Sequence, residues 1–185
     1  MTILKDATWA KHREIEKLPL IAVMFEGKFT KEMYLDYLYE LKHIYQKIEE
    51  LSDKHNITEG MPDLNRYDAI CKDIEELGGY PDRELMPATT SYLQHLETLS
   101  NDNPKLLMAH VYVRHMGDLF GGKLMARVVP GSGFMYQFAD RTGLIKAFND
   151  KLTNDLADES NLGFDHFMKI FSELWDKNIS KLYMI

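Results

Sequence analysis

Three glycines inside a single helical stretch constrain this chain more than any other feature. Lys105 to Val129 reads as one long helix. Asn103 is placed to cap it, and Pro104 suits its first turn, where proline's missing N–H is not needed. Tyr112, Met116, Phe120 and Leu124 recur every four residues as an apolar stripe. Gly117, Gly121 and Gly122 interrupt this helix. Each glycine costs about 1 kcal/mol against alanine, so roughly 3 kcal/mol must be offset. One offset is packing: Gly117 and Gly121 share a face and would let a neighbouring backbone approach. The other is a flat ligand lying on the helix backbone, with a kink that opens the hydrogen-bond ladder. Asp118 favours the ligand, because an acid among glycines on an apolar helix packs poorly. Arg114, four residues earlier, is placed to hold it as an ion pair.

The rest of the sequence is helical in period nearly throughout and contains no repeat, low-complexity tract or linker. This predicts a single all-α domain over residues 1–185. That length buries a full core, and 45% hydrophobic with 28% charged residues is an ordinary globular composition. The net charge of −7 argues against a nucleic-acid partner. Cys71 is the only cysteine, which excludes an internal disulfide or a multi-cysteine metal site and fits a reducing cytosol. The longest apolar run, Leu18 to Phe25, is far short of the roughly 20 residues of a membrane span. No export signal is read at the N-terminus, and no hydrophobic tail precedes Ile185. The expectation is a soluble, cytoplasmic protein with no membrane partner.

In chain order, a first helix runs from about Leu4 to Lys17 and stops before Pro19. Trp9, His12 and Glu16 fall at i, i+3 and i+7, so His12 faces the same way as an aromatic residue. Standing alone, such a histidine is more often a core or surface residue than a ligand. Thr30 is placed to cap a second helix, Lys31 to His55, in which Glu40 and His43 form a Glu-x-x-His pair of the kind used by di-iron carboxylate bundles. No second such pair occurs, which leaves a partly buried histidine on a helix face as the better reading. A loop over Asn56 to Pro62 precedes a helix from Asp63 to Leu77, ended by Gly78-Gly79. After a loop from Tyr80 to Pro87, Thr89 or Thr90 caps a short helix to Leu99, and Ser100 to Asn103 connect it to the glycine helix. Pro130-Gly131-Ser132-Gly133 closes that helix, and Phe134 to Ala139 form a short helical turn. Two further helices span about Gly143 to Ala157 and Asn161 to Leu182.

The run Gly117-Asp118-Leu119-Phe120-Gly121-Gly122, preceded by Tyr112 and Arg114, resembles the distal-helix motif of heme oxygenases. His12 and Glu16 match that family's proximal histidine and the glutamate four residues after it, and Lys5 matches a lysine that meets a heme propionate. Tyr37 to Tyr45 resembles the family's second helix. The resemblance implies heme sandwiched between the His12 helix and a kinked glycine-rich helix, with His12 as proximal iron ligand and Glu16 orienting its surroundings. Gly117, Gly121 and Gly122 would leave the distal face open. Asp118, fixed by Arg114, would hold a water that delivers a proton there. Lys5, Tyr112 and Lys146 would meet the propionates and set which meso carbon is attacked.

The implied reaction is cleavage of heme b, both substrate and prosthetic group, to biliverdin, CO and ferrous iron. It needs O2 and an external electron donor, for which a small acidic ferredoxin is expected, and the protein is expected to be a monomer or weak dimer. The form implied lacks the C-terminal membrane anchor of some relatives. Several positions depart from the family pattern. Asp150 stands at the second basic position, with Lys151 beside it, and Trp175 occupies a position where the family often has a pocket phenylalanine. Val113, His115 and Phe120 replace Thr, Tyr and Ser, and Phe120 would narrow the distal pocket. Two alternatives accompany this reading: a di-iron oxidase of the same fold using Glu40 and His43, and a heme-binding protein without turnover.

Overall fold

A central helix organises the packing. It starts where the Thr30 side chain accepts the Met33 N–H at 3.2 Å, the cap read from sequence. The computed structural model describes residues 4–182, so the expected domain limits, 1 and 185, lie outside the described residues. No strand occurs among the described residues, and one hydrophobic core joins the helices. The helices are α1 (Lys5–Ile15), α2 (Pro19–Phe25), α3 (Lys31–Lys54), α4 (Tyr67–Glu76), α5 (Pro87–Asp102), α6 (Leu107–Val111), α7 (Gly117–Val128), α8 (Arg141–Lys151) and α9 (Ala157–Leu182). α3 carries Tyr34, Leu38, Leu41, Ile44, Tyr45 and Ile48 into the core and packs against α4, α5 and α6. α9 packs across α1, α2, α5 and α6.

Element boundaries depart from the sequence reading where proline or a buried charge decides them. Pro19 ends α1 but also opens α2 as its first residue, because a missing N–H is harmless there. α4 starts at Tyr67, four residues later than expected. Asp63 has a φ of 61°, which breaks the helical path. The Glu49 carboxylate then accepts the N–H groups of Arg66 and of Tyr67, the latter at 3.1 Å. The Arg66 guanidinium holds the same loop by its carbonyls, reaching Leu64 at 3.0 Å and Asp63 at 2.6 Å. α5 opens on Pro87 rather than being capped by Thr89 or Thr90, and it continues through the expected connector to Asp102.

The long helix expected over Lys105 to Val129 is not continuous. A 3-10 turn at Pro104–Leu106 leads into α6, a π-helical turn follows at Tyr112–Met116, and α7 begins at Gly117. The Asn103 side chain makes no capping bond. After α7, the carboxylates of α4 hold the return. Glu76 accepts the Ser132 hydroxyl at 2.6 Å, and Asp73 accepts the N–H groups of Phe134 at 2.7 Å and Met135 at 2.9 Å. The helical turn expected after Gly133 is a 3-10 turn, Phe134–Tyr136. Asp140 caps α8 by accepting the Gly143 N–H at 2.8 Å, so α8 starts and ends earlier than read. α9 starts at Ala157, after a 3-10 turn at Asn154–Leu156.

Candidate functional site

The π turn interrupts the glycine helix, and a cavity of about 840 Å³ opens beside it. A single π turn inside an α-helix is a recognised local widening, frequent at functional sites. From α1 the cavity takes Lys5, Thr8, Trp9, His12 and Glu16; from the π turn and α7 it takes Tyr112, Arg114, Gly117, Asp118, Phe120 and Gly121. α2 adds Ile21, Met24 and Phe25, and α9 adds Phe164, Phe167 and Phe171. The lining is thus largely aromatic and aliphatic, with a few convergent polar groups, as small-molecule sites tend to be.

The glycines divide into two kinds. A Cβ built on Gly117 or Gly121 meets nothing within 4 Å, and both residues line the cavity. No neighbouring helix approaches them, so helix packing does not explain their absence of side chain. Gly122 is different. It is buried away from the cavity, and its Cβ would sit 3.3 Å from the Cβ and carbonyl oxygen of Tyr136. Gly122, expected beside the cavity glycines, lies off the cavity wall and admits the turn after α7.

On α1, His12 stacks on Trp9 with centroids 5.6 Å apart and meets the edge of Phe164 at 6.1 Å. Its Nδ1 is buried and lies 3.5 Å from Glu16 Oε1. That leaves Nε2 as the ring nitrogen free to serve a ligand. Lys5 Nζ lies 5.4 Å above the Trp9 ring. Arg13, not singled out from sequence, pairs with Glu16 at 3.3 Å and covers the same ring at 5.8 Å. Thr8 is a further residue missed in the sequence. Its hydroxyl donates to the Leu4 carbonyl at 2.9 Å and lies 3.4 Å from the Tyr112 hydroxyl, which links α1 to the π turn.

Behind the glycines lies a buried acid. Asp118 accepts a short hydrogen bond from the Tyr45 hydroxyl of α3, and Arg114 Nη2 lies 3.7 Å from its other oxygen. Arg114 is itself clamped between aromatic faces, 4.2 Å from the Phe167 centroid and 5.4 Å from that of Tyr45. Arg141 donates to the Leu119 carbonyl at 2.6 Å and to the Tyr136 carbonyl, fixing the first turn of α7 from outside. Burial pushes the Asp118 carboxyl up from its ordinary value; Arg114, the Tyr45 hydrogen bond, Arg66 and Arg141 draw it part of the way back. His115, next to Arg114 in sequence, is buried. Its Nδ1–H donates to the Val111 carbonyl at 3.1 Å, and burial lowers its pKa to about 3.

Lys146, Lys151 and Trp175 are not on the cavity wall. Lys146 is exposed and Lys151 half-buried on α8, while Trp175 packs against the core one turn beyond Phe171. The three phenylalanines that do line the wall fall at i, i+3 and i+7, a spacing visible in the sequence. The Glu40 carboxylate is committed elsewhere. Arg83 Nη2 lies 2.7 Å from one oxygen, and the Met86 N–H donates to the other at 3.3 Å. His43 Nδ1 lies 2.9 Å from its own helix's Tyr39 carbonyl. Among the described residues, neither belongs to a cluster of three or more potential metal-ligating side chains.

Comparison with known proteins converges on one group. Residues 1–173 match the family model described as heme oxygenase. Heme oxygenase 1 of Nostoc sp. is 28% identical, the match covering 98% of this chain and 88% of that protein. Heme oxygenase 2 of the rabbit, Oryctolagus cuniculus, is 26% identical over 93% of this chain, which spans 65% of the rabbit protein's length. Among solved structures, heme oxygenase from Leptospira interrogans superposes with a TM-score of 0.79 at 28% identity, covering 92% of this chain and 97% of its own. Heme oxygenase-1 of the cyanobacterium Synechocystis, solved in complex with heme, gives a TM-score of 0.87 at 22% identity, a likeness of fold, and covers 98% and 94% of the two chains.

Proposed function

The chain belongs to the heme oxygenase family, and on that premise we propose that it binds heme b and opens it, with O2 and external electrons, to biliverdin, CO and ferrous iron. The observation that carries the reading is the pair Gly117 and Gly121. Their missing side chains face open cavity rather than a packed neighbour, and His12 lines the same cavity with Nδ1 turned to Glu16. A planar, largely apolar ring with anionic edges fits this lining of aromatic side chains, with Lys5 at the wall. When bound, heme supplies the iron at which dioxygen is activated and the ring carbon that is cleaved.

The residues then divide the work. His12 would hold the iron through Nε2, with Glu16, close to Nδ1, orienting the imidazole. Gly117 and Gly121 would leave room for a flat ring to lie close to the α7 backbone. Asp118, whose carboxyl burial pushes up, would supply a proton on the side of the ring that faces α7, while Tyr45 and Arg114 keep the carboxyl aimed. Lys5 and Tyr112, both on the cavity wall, would meet the propionates and so set the orientation of the ring. Lys146 and Lys151, off the wall, act on the propionates at most from outside it. The electron donor is a small acidic ferredoxin-like protein, and the site of action is the cytoplasm.

The test is direct. Hemin is mixed with the protein and a reducing system in air. The Soret band should decay while a biliverdin spectrum grows, and His12→Ala should abolish both the bound spectrum and turnover. Bound hemin whose Soret band persists under these conditions would mean a heme carrier. Tightly held iron without a Soret band would mean the di-iron reading.

A further inference from the structure

A second group of ligand-type side chains lies outside the cavity, where α5, α6 and α9 meet. Glu159 Oε1 lies 2.6 Å from His95 Nε2 and 2.7 Å from His110 Nε2. The three donor atoms fall within 4.8 Å of one another and come from three separate helices. Two imidazole nitrogens and one carboxylate oxygen are the donor set of a zinc-type site, in which water takes the fourth position. We propose that His95, His110 and Glu159 bind one divalent transition-metal ion of the Zn2+ class, apart from the heme cavity, and so tie α5 to α6 and α9.

Three features support a site rather than a chance cluster. The first is the outer partner. Metal-ligating histidines usually place their second ring nitrogen against a fixed polar group. His110 Nδ1 has the Tyr92 hydroxyl at 2.8 Å. With no ion bound, His110 donates its single proton from Nε2 to Glu159 while the Tyr92 hydroxyl donates to Nδ1. On metal binding His110 carries its proton on Nδ1, and the Tyr92 oxygen accepts a hydrogen bond from that Nδ1–H. One hydroxyl serves both tautomers, so the switch leaves no buried nitrogen unpaired.

The second feature is fit. Ligand atoms around a tetrahedral zinc lie roughly 3.4 Å apart, so side-chain shifts of about 1 Å close this set onto one ion. His110 is held in place because Gly163 brings α9 against it; a Cβ at Gly163 would lie 3.2 Å from His110 Nδ1. The third is access. His110 is fully buried, but the His95 side chain is 28% exposed, which gives the ion a path in. The His166 ring packs against both Tyr92 and His95, at 4.7 and 4.9 Å, and steadies that outer ligand.

The test uses the full, tag-free chain, titrated with Zn2+ against a chromophoric chelator and with Co2+ followed by its visible d–d absorption. One ion per chain is expected, with a raised melting temperature in Zn2+. His95→Ala, or His95→Gln should the alanine variant fold poorly, is expected to weaken binding by more than about 100-fold. That exceeds the range typical of an outer partner, about 10- to 100-fold, which is the loss expected of Tyr92→Phe. His12→Ala should bind the ion as the parent does, which separates this site from the cavity. No saturable binding, or less than about a tenfold loss in both His95→Gln and Glu159→Gln, would reduce the triad to a hydrogen-bonded joint between helices.

Discussion

The Tyr45 hydroxyl donates to the Asp118 carboxylate across 73 residues of sequence, and the two groups are 0% and 5% exposed. A buried carboxyl that loses its donor keeps its desolvation penalty, so the bond is worth more when broken than when made. Tyr45→Phe should destabilise the fold by about 1–3 kcal/mol and push the Asp118 carboxyl further up. Asp118→Asn keeps the shape and removes the acid. It should bind hemin through His12 yet form no biliverdin, whereas Tyr45→Phe should be slowed. Urea unfolding and single-turnover spectra check both, and normal biliverdin formation by Asp118→Asn would sink the role given to that residue.

The glycines should separate in mutagenesis. Alanine at Gly117 or Gly121 meets open space, so stability should hold or rise by up to about 1 kcal/mol through helix propensity. Hemin affinity should fall, since the added methyl enters the cavity. Alanine at Gly122 should do the reverse: the methyl presses on the Tyr136 backbone, which Arg141 holds, and the fold loses stability. Melting temperatures and hemin titrations of the three variants decide the matter.

Acid sensitivity should come partly from His115. Unfolded, its imidazole takes up a proton below about 6.5; in the fold it resists until about 3. The unfolded chain therefore binds more protons in that window. His115 contributes stability above pH 6.5 that is lost as the pH falls towards 3. His115→Phe preserves an aromatic ring against Tyr45 and should flatten the dependence between pH 6.5 and 4. An unchanged slope in thermal melts across that range would remove His115 as its source.

Lys5 and Lys146 should differ. Lys5 lines the cavity and Lys146 does not. Lys5→Ala should weaken hemin binding about tenfold, the worth of one charge-assisted hydrogen bond, and broaden the mixture of biliverdin isomers. Lys146→Ala should leave affinity within about twofold by the same reckoning. Equal losses would show that α8 closes on the ring in solution.

Much of the arrangement could be read along single helices. His12 with Glu16, Gly117 with Gly121, and the start of α3 at Thr30 rest on local spacing, which a helix turns directly into a shared face, whereas Tyr112 shares the wall with the glycines only through the π turn between them. What escaped was decided between segments. Tyr45 carries no local sign that its partner lies on α7, and Gly122 looks like Gly121 until Tyr136 is placed against it. Trp175 and Phe171 sit one turn apart on α9, and only the packing of that helix decides which lines the wall. α4 starts late because Asp63 takes a positive φ, in a loop held by buried Arg66 and Glu49, which sequence periodicity does not show.

The π turn at Tyr112–Met116 also acts as a phase shifter. An α-helix advances about 100° per residue, so one extra residue wound into a single turn rotates everything beyond it by about that angle. α6 is thereby free to aim His110 at Glu159 while α7 aims Asp118 at Tyr45 and turns Gly117 and Gly121 to the cavity. A continuous α-helix would keep all four on one fixed angular pattern and could satisfy one of these two ends only at the expense of the other. Shortening the π turn by one residue would make a more regular helix and a disordered site. The irregularity is therefore what allows one stretch of chain to serve two independent sets of partners.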